Sequence, residues 1–105
     1  MKKKTKQVER IEKMEANMNE VNAVLAETIK ATKKLKRVMK KYDALSKYYS
    51  SQDWFDDAQA YSEGKLPEDL RCGVLSEDLP YDVIGDMYYY ALSQLEFVTN
   101  FLKKH

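Results

Sequence analysis

Ten carboxylates lie between Asp53 and Asp86, at Asp53, Asp56, Asp57, Glu63, Glu68, Asp69, Glu77, Asp78, Asp82 and Asp86. Oxygen ligands at that density are the one group here that could hold a hard divalent cation. Their spacing argues against it. No calcium-loop alternation is present, and the Glu-x-x-His repeat of di-iron helix bundles cannot form when the single histidine is His105. Helix caps and complements to helix dipoles account for most of these acids, so no metal site is expected. Nucleophilic chemistry fares no better. Cys72 has no histidine within its motif to activate it, and the three glycines, Gly64, Gly73 and Gly85, stand too far apart to build a phosphate loop. No catalytic residue, no cofactor and no small-molecule substrate are inferred, and the chain is not expected to be an enzyme.

Binding patterns are stronger than catalytic ones. Ile11, Met14, Met18, Val21, Leu25, Thr28, Thr32, Leu35, Met39 and Tyr42 fall at the a and d positions of a heptad, the repeat that keeps one side of a helix against a partner helix. Opposite this seam, Lys30, Lys33, Lys34, Lys36, Arg37, Lys40 and Lys41 take positions f, b, c, e, f, b and c. That stripe could lie along a phosphate backbone, with Lys2, Lys3, Lys4 and Lys6 extending it. No aromatic side chain interleaves with it, so stacking on single strands is not supported. Trp54, Phe55 and Tyr61 could cage a ligand with Tyr88, Tyr89 and Tyr90. Aromatics in this setting more often cap a small core, and core is the reading preferred here.

The elements that position these residues follow from composition. In 105 residues, one third are charged and the first 63 contain neither Gly nor Pro, a pattern that favours helix and an all-α class. One helical domain over residues 1–105 is expected. Its long helix runs from about Lys6 to Tyr49, and Ser50, Ser51 and the Asp53 region end it. At 1.5 Å per residue that is about 65 Å. A second, short helix is expected from Trp54 to about Glu63, capped by Ser51 or Asp53 and stopped by a left-handed Gly64. Leu66–Leu70 reads as one more helical turn closed by Gly73, and Ser76-Glu77-Asp78 as the next cap. The segment from about 52 to 79 then gives way to a last helix from about Pro80 to Lys103.

That helix carries an apolar stripe at Ile84, Met87, Tyr88, Ala91, Leu95, Val98 and Leu102. The expected architecture is therefore a long, coiled-coil-like amino-terminal helix packed antiparallel against a carboxy-terminal one, with short helices or turns between. Charge agrees with this arrangement. Residues 1–41 hold 13 Lys or Arg against 5 Glu, a net of +8, while residues 42–105 hold 5 against 12, a net of −7. Antiparallel packing would bring Asp82 and Asp86 near Lys40, Lys41 and Lys47, although exposed pairs contribute only about 0 to 1 kcal/mol each.

Length then divides the seam. The last helix spans about 36 Å, little more than half of the first. It can satisfy Leu35 to Tyr49 and leaves Ile11, Met14, Met18, Val21 and Leu25 uncovered. Thr28 and Thr32 mark the boundary. The expected function is accordingly a protein–protein interaction or scaffold module that self-associates, or takes a partner helix, through those five residues. The alternative is nucleic-acid association through Lys30, Lys33, Lys34, Arg37, Lys40 and Lys41. A single cysteine rules out an intrachain disulfide and fits a reducing compartment. No apolar region follows the first lysines and no stretch is long enough to span a bilayer, so a cytoplasmic location without a membrane partner is expected.

One segment resembles a known family. Leu66-Pro67-Glu68-Asp69-Leu70-Arg71-Cys72-Gly73-Val74-Leu75-Ser76-Glu77-Asp78, preceded by Tyr48-Tyr49-Ser50 and Trp54, is similar to the signature of a small bacterial family catalogued as a domain of unknown function, family 4298. The similarity extends from about Ile11 to Leu102. It implies a short all-helical protein without an established activity. It also implies a structural role for Trp54, Leu66, Pro67, Asp69, Leu70, Gly73, Val74, Leu75, Ser76, Glu77 and Asp78. Cys72 stands where related chains more often have a basic residue. Gly85 interrupts what should be a good helix former.

Overall fold

A computed structural model of the chain describes residues 3–105; Lys2, counted above with the amino-terminal lysines, lies outside them. The fold is all-α. α1 runs Lys6–Tyr49, α2 Gln52–Ser62 and α3 Asp78–Lys104, with a single 3-10 turn at Gly73–Leu75 and no strand among the described residues. The long helix has the expected bounds. α2 begins two residues earlier than Trp54 and ends one before Glu63, and α3 starts at Asp78 because Pro80 occupies its first turn, where a missing N–H costs nothing.

Local chemistry fixes these ends. Thr5 caps α1, its hydroxyl accepting from the amide of Val8 at 3.2 Å. Ser51 is the N-cap of α2, its Oγ accepting from Trp54 N at 3.2 Å and donating to the Tyr48 carbonyl at 2.6 Å, so one hydroxyl ends α1 and starts α2. α2 closes in a Schellman arrangement. The amide of Lys65 reaches the Ala60 carbonyl, the amide of Gly64 reaches that of Tyr61, and Gly64 takes the left-handed φ of 71° that this geometry needs. At the start of α3, Ser76 Oγ accepts from Leu79 N at 3.1 Å.

Leu66–Leu70 departs from expectation. It forms a turn, Leu70 N to the Pro67 carbonyl at 3.2 Å, with no helix. Gly73 opens the 3-10 turn where it was expected to close a helical one. A Cβ at Gly73 would meet Leu79 Cδ1 at 3.3 Å, so that side chain would have to give by a few tenths of an ångström.

Two compact units divide the chain, one up to Lys40 and one from Lys41 to His105. Among the described residues, the one element of the first is α1 from Lys6 to Lys40. The second holds the last turns of α1 with α2, the 3-10 turn and α3. No apolar side chain among the described residues is buried to the degree of a core, Pro80 being the one buried residue. Half-buried positions instead mark where elements meet: Leu45, Tyr48 and Tyr49 on α1, Trp54, Ala58 and Ala60 on α2, Leu66 and Leu75 between, and Ile84 and Met87 on α3.

The two remaining glycines separate by backbone and space. Gly64→Ala places a Cβ at positive φ and should cost about 1 to 2 kcal/mol. Gly85→Ala, mid-helix with open space around it, should gain about 1 kcal/mol. Thermal denaturation of the two variants checks this, with Tm expected to move in opposite directions.

Candidate interaction surface

In the unit ending at Lys40, the a and d seam lies on an unbroken helix and is open to solvent from its start. Ile11, Met14, Met18, Val21 and Leu25 are between 51 and 64% exposed, and Val8, Val24 and Ile29 are exposed beside them. Exposure changes at the two threonines. Thr28 is exposed, with its hydroxyl donating to the Val24 carbonyl at 2.8 Å, whereas Thr32, Leu35 and Met39 are half-buried. That back-bond satisfies the one polar group at a d position of this stretch without any partner.

The basic stripe occupies the other side of the same helix. Lys30, Lys33, Lys34, Lys36, Arg37, Lys40 and Lys41 are all exposed. No acid interrupts the sequence between Glu27 and Asp43, and the ion pairs among the described residues lie elsewhere, Lys4 with Glu12 at 3.0 Å and Lys65 with Glu63 at 2.7 Å. Asp82, Asp86 and Lys47 are in neither pair.

The unit from Lys41 to His105 is organised around Trp54. Its indole N–H donates to the Val74 carbonyl at 2.9 Å, and its ring meets Tyr49 edge to face, centroids 5.1 Å apart at 70°. Tyr49 then donates to the Glu77 carbonyl at 3.2 Å, and Tyr48 donates to Asp57 Oδ2 at 2.5 Å. One aromatic pair thus ties the end of α1 to α2, to the 3-10 turn and to the approach of α3. Leu45, Val74, Leu79, Pro80 and Val83 gather around an apolar depression beside this joint.

A shallow hollow of about 300 Å³ opens between Tyr48, Asp57, Leu66, Leu70, Arg71, Cys72, Val74 and Leu75. It is the wall of the family motif seen from outside. Leu66, Val74 and Leu75 of the motif line it; Pro67 and Asp69 form the turn above; Ser76, Glu77 and Asp78 lead into α3. The Cys72 thiol donates to the Leu70 carbonyl at 3.4 Å. His105 lies against Phe101, ring centroids 4.8 Å apart. No three His, Cys, Asp or Glu side chains among the described residues converge as a metal site needs.

Two expectations on the aromatics change. Phe55 and Tyr61 are exposed, at 59 and 55%, and only Trp54 of that trio takes part in packing. Tyr88, Tyr89 and Tyr90 are exposed too and form no cage with it. Sequence reasoning missed the pairing of Tyr48 with Asp57, which nothing in a nine-residue separation across a helix break signals. It also assigned the α3 stripe to intramolecular packing throughout, whereas from Tyr88 onward that stripe is exposed.

The chain belongs to the family described as Domain of unknown function (DUF4298), whose pattern it matches over residues 11–97. Comparison with curated proteins finds no match. The matched span takes in the exposed seam, the basic stripe, the Trp54 joint and most of α3. No helix of the described residues is long and apolar enough to cross a membrane.

The Tyr48–Asp57 bond has a pH signature. Hydrogen bonding to Asp57, then desolvation, then the nearby negative charge hold the Tyr48 hydroxyl neutral and push its pKa up to about 12. The ordinary phenol titrates near 10, so the fold favours the protonated form. Its stabilisation is complete below about pH 10 and is lost as pH rises through about 12. Tyr48→Phe should cost about 1 kcal/mol at neutral pH. In denaturant titrations at a series of pH values, the gap between native and variant should close over that alkaline window.

Proposed function

We propose that this chain is a helical interaction module that self-associates through Ile11, Met14, Met18, Val21 and Leu25. The observation that carries the reading is the exposure of all five at seam spacing on one continuous helix. Fully burying such a side chain is worth about 1.5 to 3 kcal/mol, and with 51 to 64% of each still exposed roughly half of that is available, about 4 to 8 kcal/mol from each helix and about 8 to 15 kcal/mol from a pair. Association itself costs about 4 to 15 kcal/mol. Those magnitudes predict a reversible, concentration-dependent assembly. Methionine at two of the five positions suits a seam that adapts to its partner. A non-enzymatic role is part of this proposal, as is a cytoplasmic location, which the single free cysteine favours.

Light scattering across a concentration series tests the reading. Met18→Glu puts a charge in the middle of the seam and should raise the midpoint of association at least tenfold without loss of helicity. A chain that is monomeric at high concentration, or whose mass does not respond to Met18→Glu, would remove self-association through this seam. A pull-down would then be the route to a different partner helix.

A second use of α1 is favoured by one separate observation, the seven exposed, acid-free cations of the stripe. This face could follow the backbone of a nucleic acid without reading its sequence. Replacing Lys33, Lys34, Arg37 and Lys40 by Glu should abolish a salt-sensitive mobility shift with duplex DNA or RNA. No shift by the native chain at low salt would eliminate this reading.

A further inference from the structure

The seam on α1 has flanks as well as a centre, and the flanks bear on what can lie beside it. With Ile11, Met18 and Leu25 at a and Met14 and Val21 at d, Arg10, Asn17 and Val24 take the g positions and Glu15, Asn22 and Ile29 the e positions. All six are exposed on one continuous helix, Val24 at 55% and Ile29 at 48%. Arg10 and Glu15 take part in neither ion pair of the described residues, and the Asn17 amide makes a long contact of 3.9 Å to the Met14 sulfur.

How two coiled helices meet at these positions depends on their direction. A parallel pair in register sets each g residue beside the e residue of the partner's next heptad, whereas an antiparallel pair sets g beside g and e beside e. In the parallel case Arg10 meets Glu15 of the second copy, Asn17 meets its Asn22, and Val24 meets its Ile29. Charge meets opposite charge, amide meets amide, and apolar meets apolar. The antiparallel arrangement makes none of these pairs, because each joins a g residue to an e residue.

The centre of the seam points the same way for a separate reason. Parallel pairing in register sets a against a and d against d, so all five apolar residues face apolar partners. Antiparallel pairing sets a against d, and three a residues cannot all find partners among two d residues. Ile11 then faces Thr28, or Leu25 faces Gln7, at both ends of the pair. A parallel pair slipped by one heptad is worse: it sets Val21 against Thr28 and Leu25 against Thr32, and it parts Arg10 from Glu15.

We infer that the occupant of the α1 seam is a second copy of this chain lying parallel and in register, with its direction set by Arg10 against Glu15, Asn17 against Asn22 and Val24 against Ile29. This rests on the reading of the seam as a self-association surface, and it adds the register and the residues that fix it. Exposed charge pairs contribute little affinity but select among arrangements. Such a pairing is isologous, so each flank contact occurs twice about the two-fold axis.

Charge exchange tests the flanks. Arg10→Glu alone, or Glu15→Arg alone, should raise the midpoint of association on the order of fivefold at low salt, because two exposed pairs are lost together. An equimolar mixture of the two variants, and a chain carrying both changes, should return close to the native midpoint, since opposite charges then meet again. Salt near about 1 M should shrink these differences. Spin labels test the direction. In a Cys72→Ser background, Ala16→Cys and Lys30→Cys both place a label at an outer f position, so parallel pairing gives one distance between copies at both. In either antiparallel register the label at 30 is displaced along the axis by about 30 Å or more and the label at 16 by about 10 Å or less, from a rise of 1.5 Å per residue. Double electron–electron resonance should therefore return equal distances. Unequal distances, a mixture that associates no more tightly than either variant, or a double variant as weak as the single ones would each overturn the inference and leave association through the seam standing. A chain that is monomeric at high concentration, or whose mass ignores Met18→Glu, removes the seam reading and the inference with it.

Discussion

The tertiary structure of this small protein depends on one hydrogen bond and the ring that makes it. Trp54 donates to the Val74 carbonyl and packs edge to face on Tyr49, while Tyr49 reaches across to the Glu77 carbonyl. These contacts span residues 49 to 77, and Val74 joins Leu45, Leu79, Pro80 and Val83 around one depression. An aromatic pair of this geometry is worth about 0.5 to 1.5 kcal/mol beyond its burial. In a unit without a buried aliphatic core, that is a large share of what orders α2 and the turn. The family motif makes physical sense around it: Gly73 admits Leu79, Val74 supplies the acceptor, and Ser76 caps the helix that follows.

The absence of a buried apolar core among the described residues is the second constraint. A domain of about 100 residues ordinarily has a net stability of only about 5 to 15 kcal/mol, drawn largely from buried apolar surface. α1 satisfies its own backbone hydrogen bonds, yet an isolated helix gains little beyond that in water, and most helix stability in proteins comes from packing an apolar face. Exposed stripes at Ile11–Leu25 and at Tyr88–Leu102 are therefore where missing stabilisation can be found. In the proposed assembly, association and stability are one equilibrium, and the melting temperature of the chain rises with its concentration.

Sequence alone located what local chemistry decides. The ends of α1, Ser51 as a cap, the left-handed Gly64 and the entry of α3 beside Pro80 each follow from a residue type at a fixed offset, and each is found in the structure. The change in exposure beside Thr28 and Thr32 was also readable, because polar residues at seam positions interrupt a heptad. Tertiary partners were not. Leu66–Leu70 has the composition of a helical first turn, yet its one backbone bond of this kind, Leu70 N to the Pro67 carbonyl, makes a turn that is followed by the 3-10 segment from Gly73. Phe55 and Tyr61 have the residue types of a core, and only the positions of Tyr49 and Val74 decide that Trp54 alone packs.

The two open seams differ in the kind of specificity they can carry. The one on α1 holds methionine at Met14 and Met18, which does not make for a rigid fit, so in the proposed pairing direction comes from its flanks, Arg10 with Glu15 and Val24 with Ile29. The α3 stripe mixes side chains of unequal size, from Ala91 to Tyr88, and its early acids Asp82 and Asp86 lie on the opposite side of the helix. The α1 seam and the basic stripe lie on opposite faces of one helix, so occupying one of those faces does not obstruct the other.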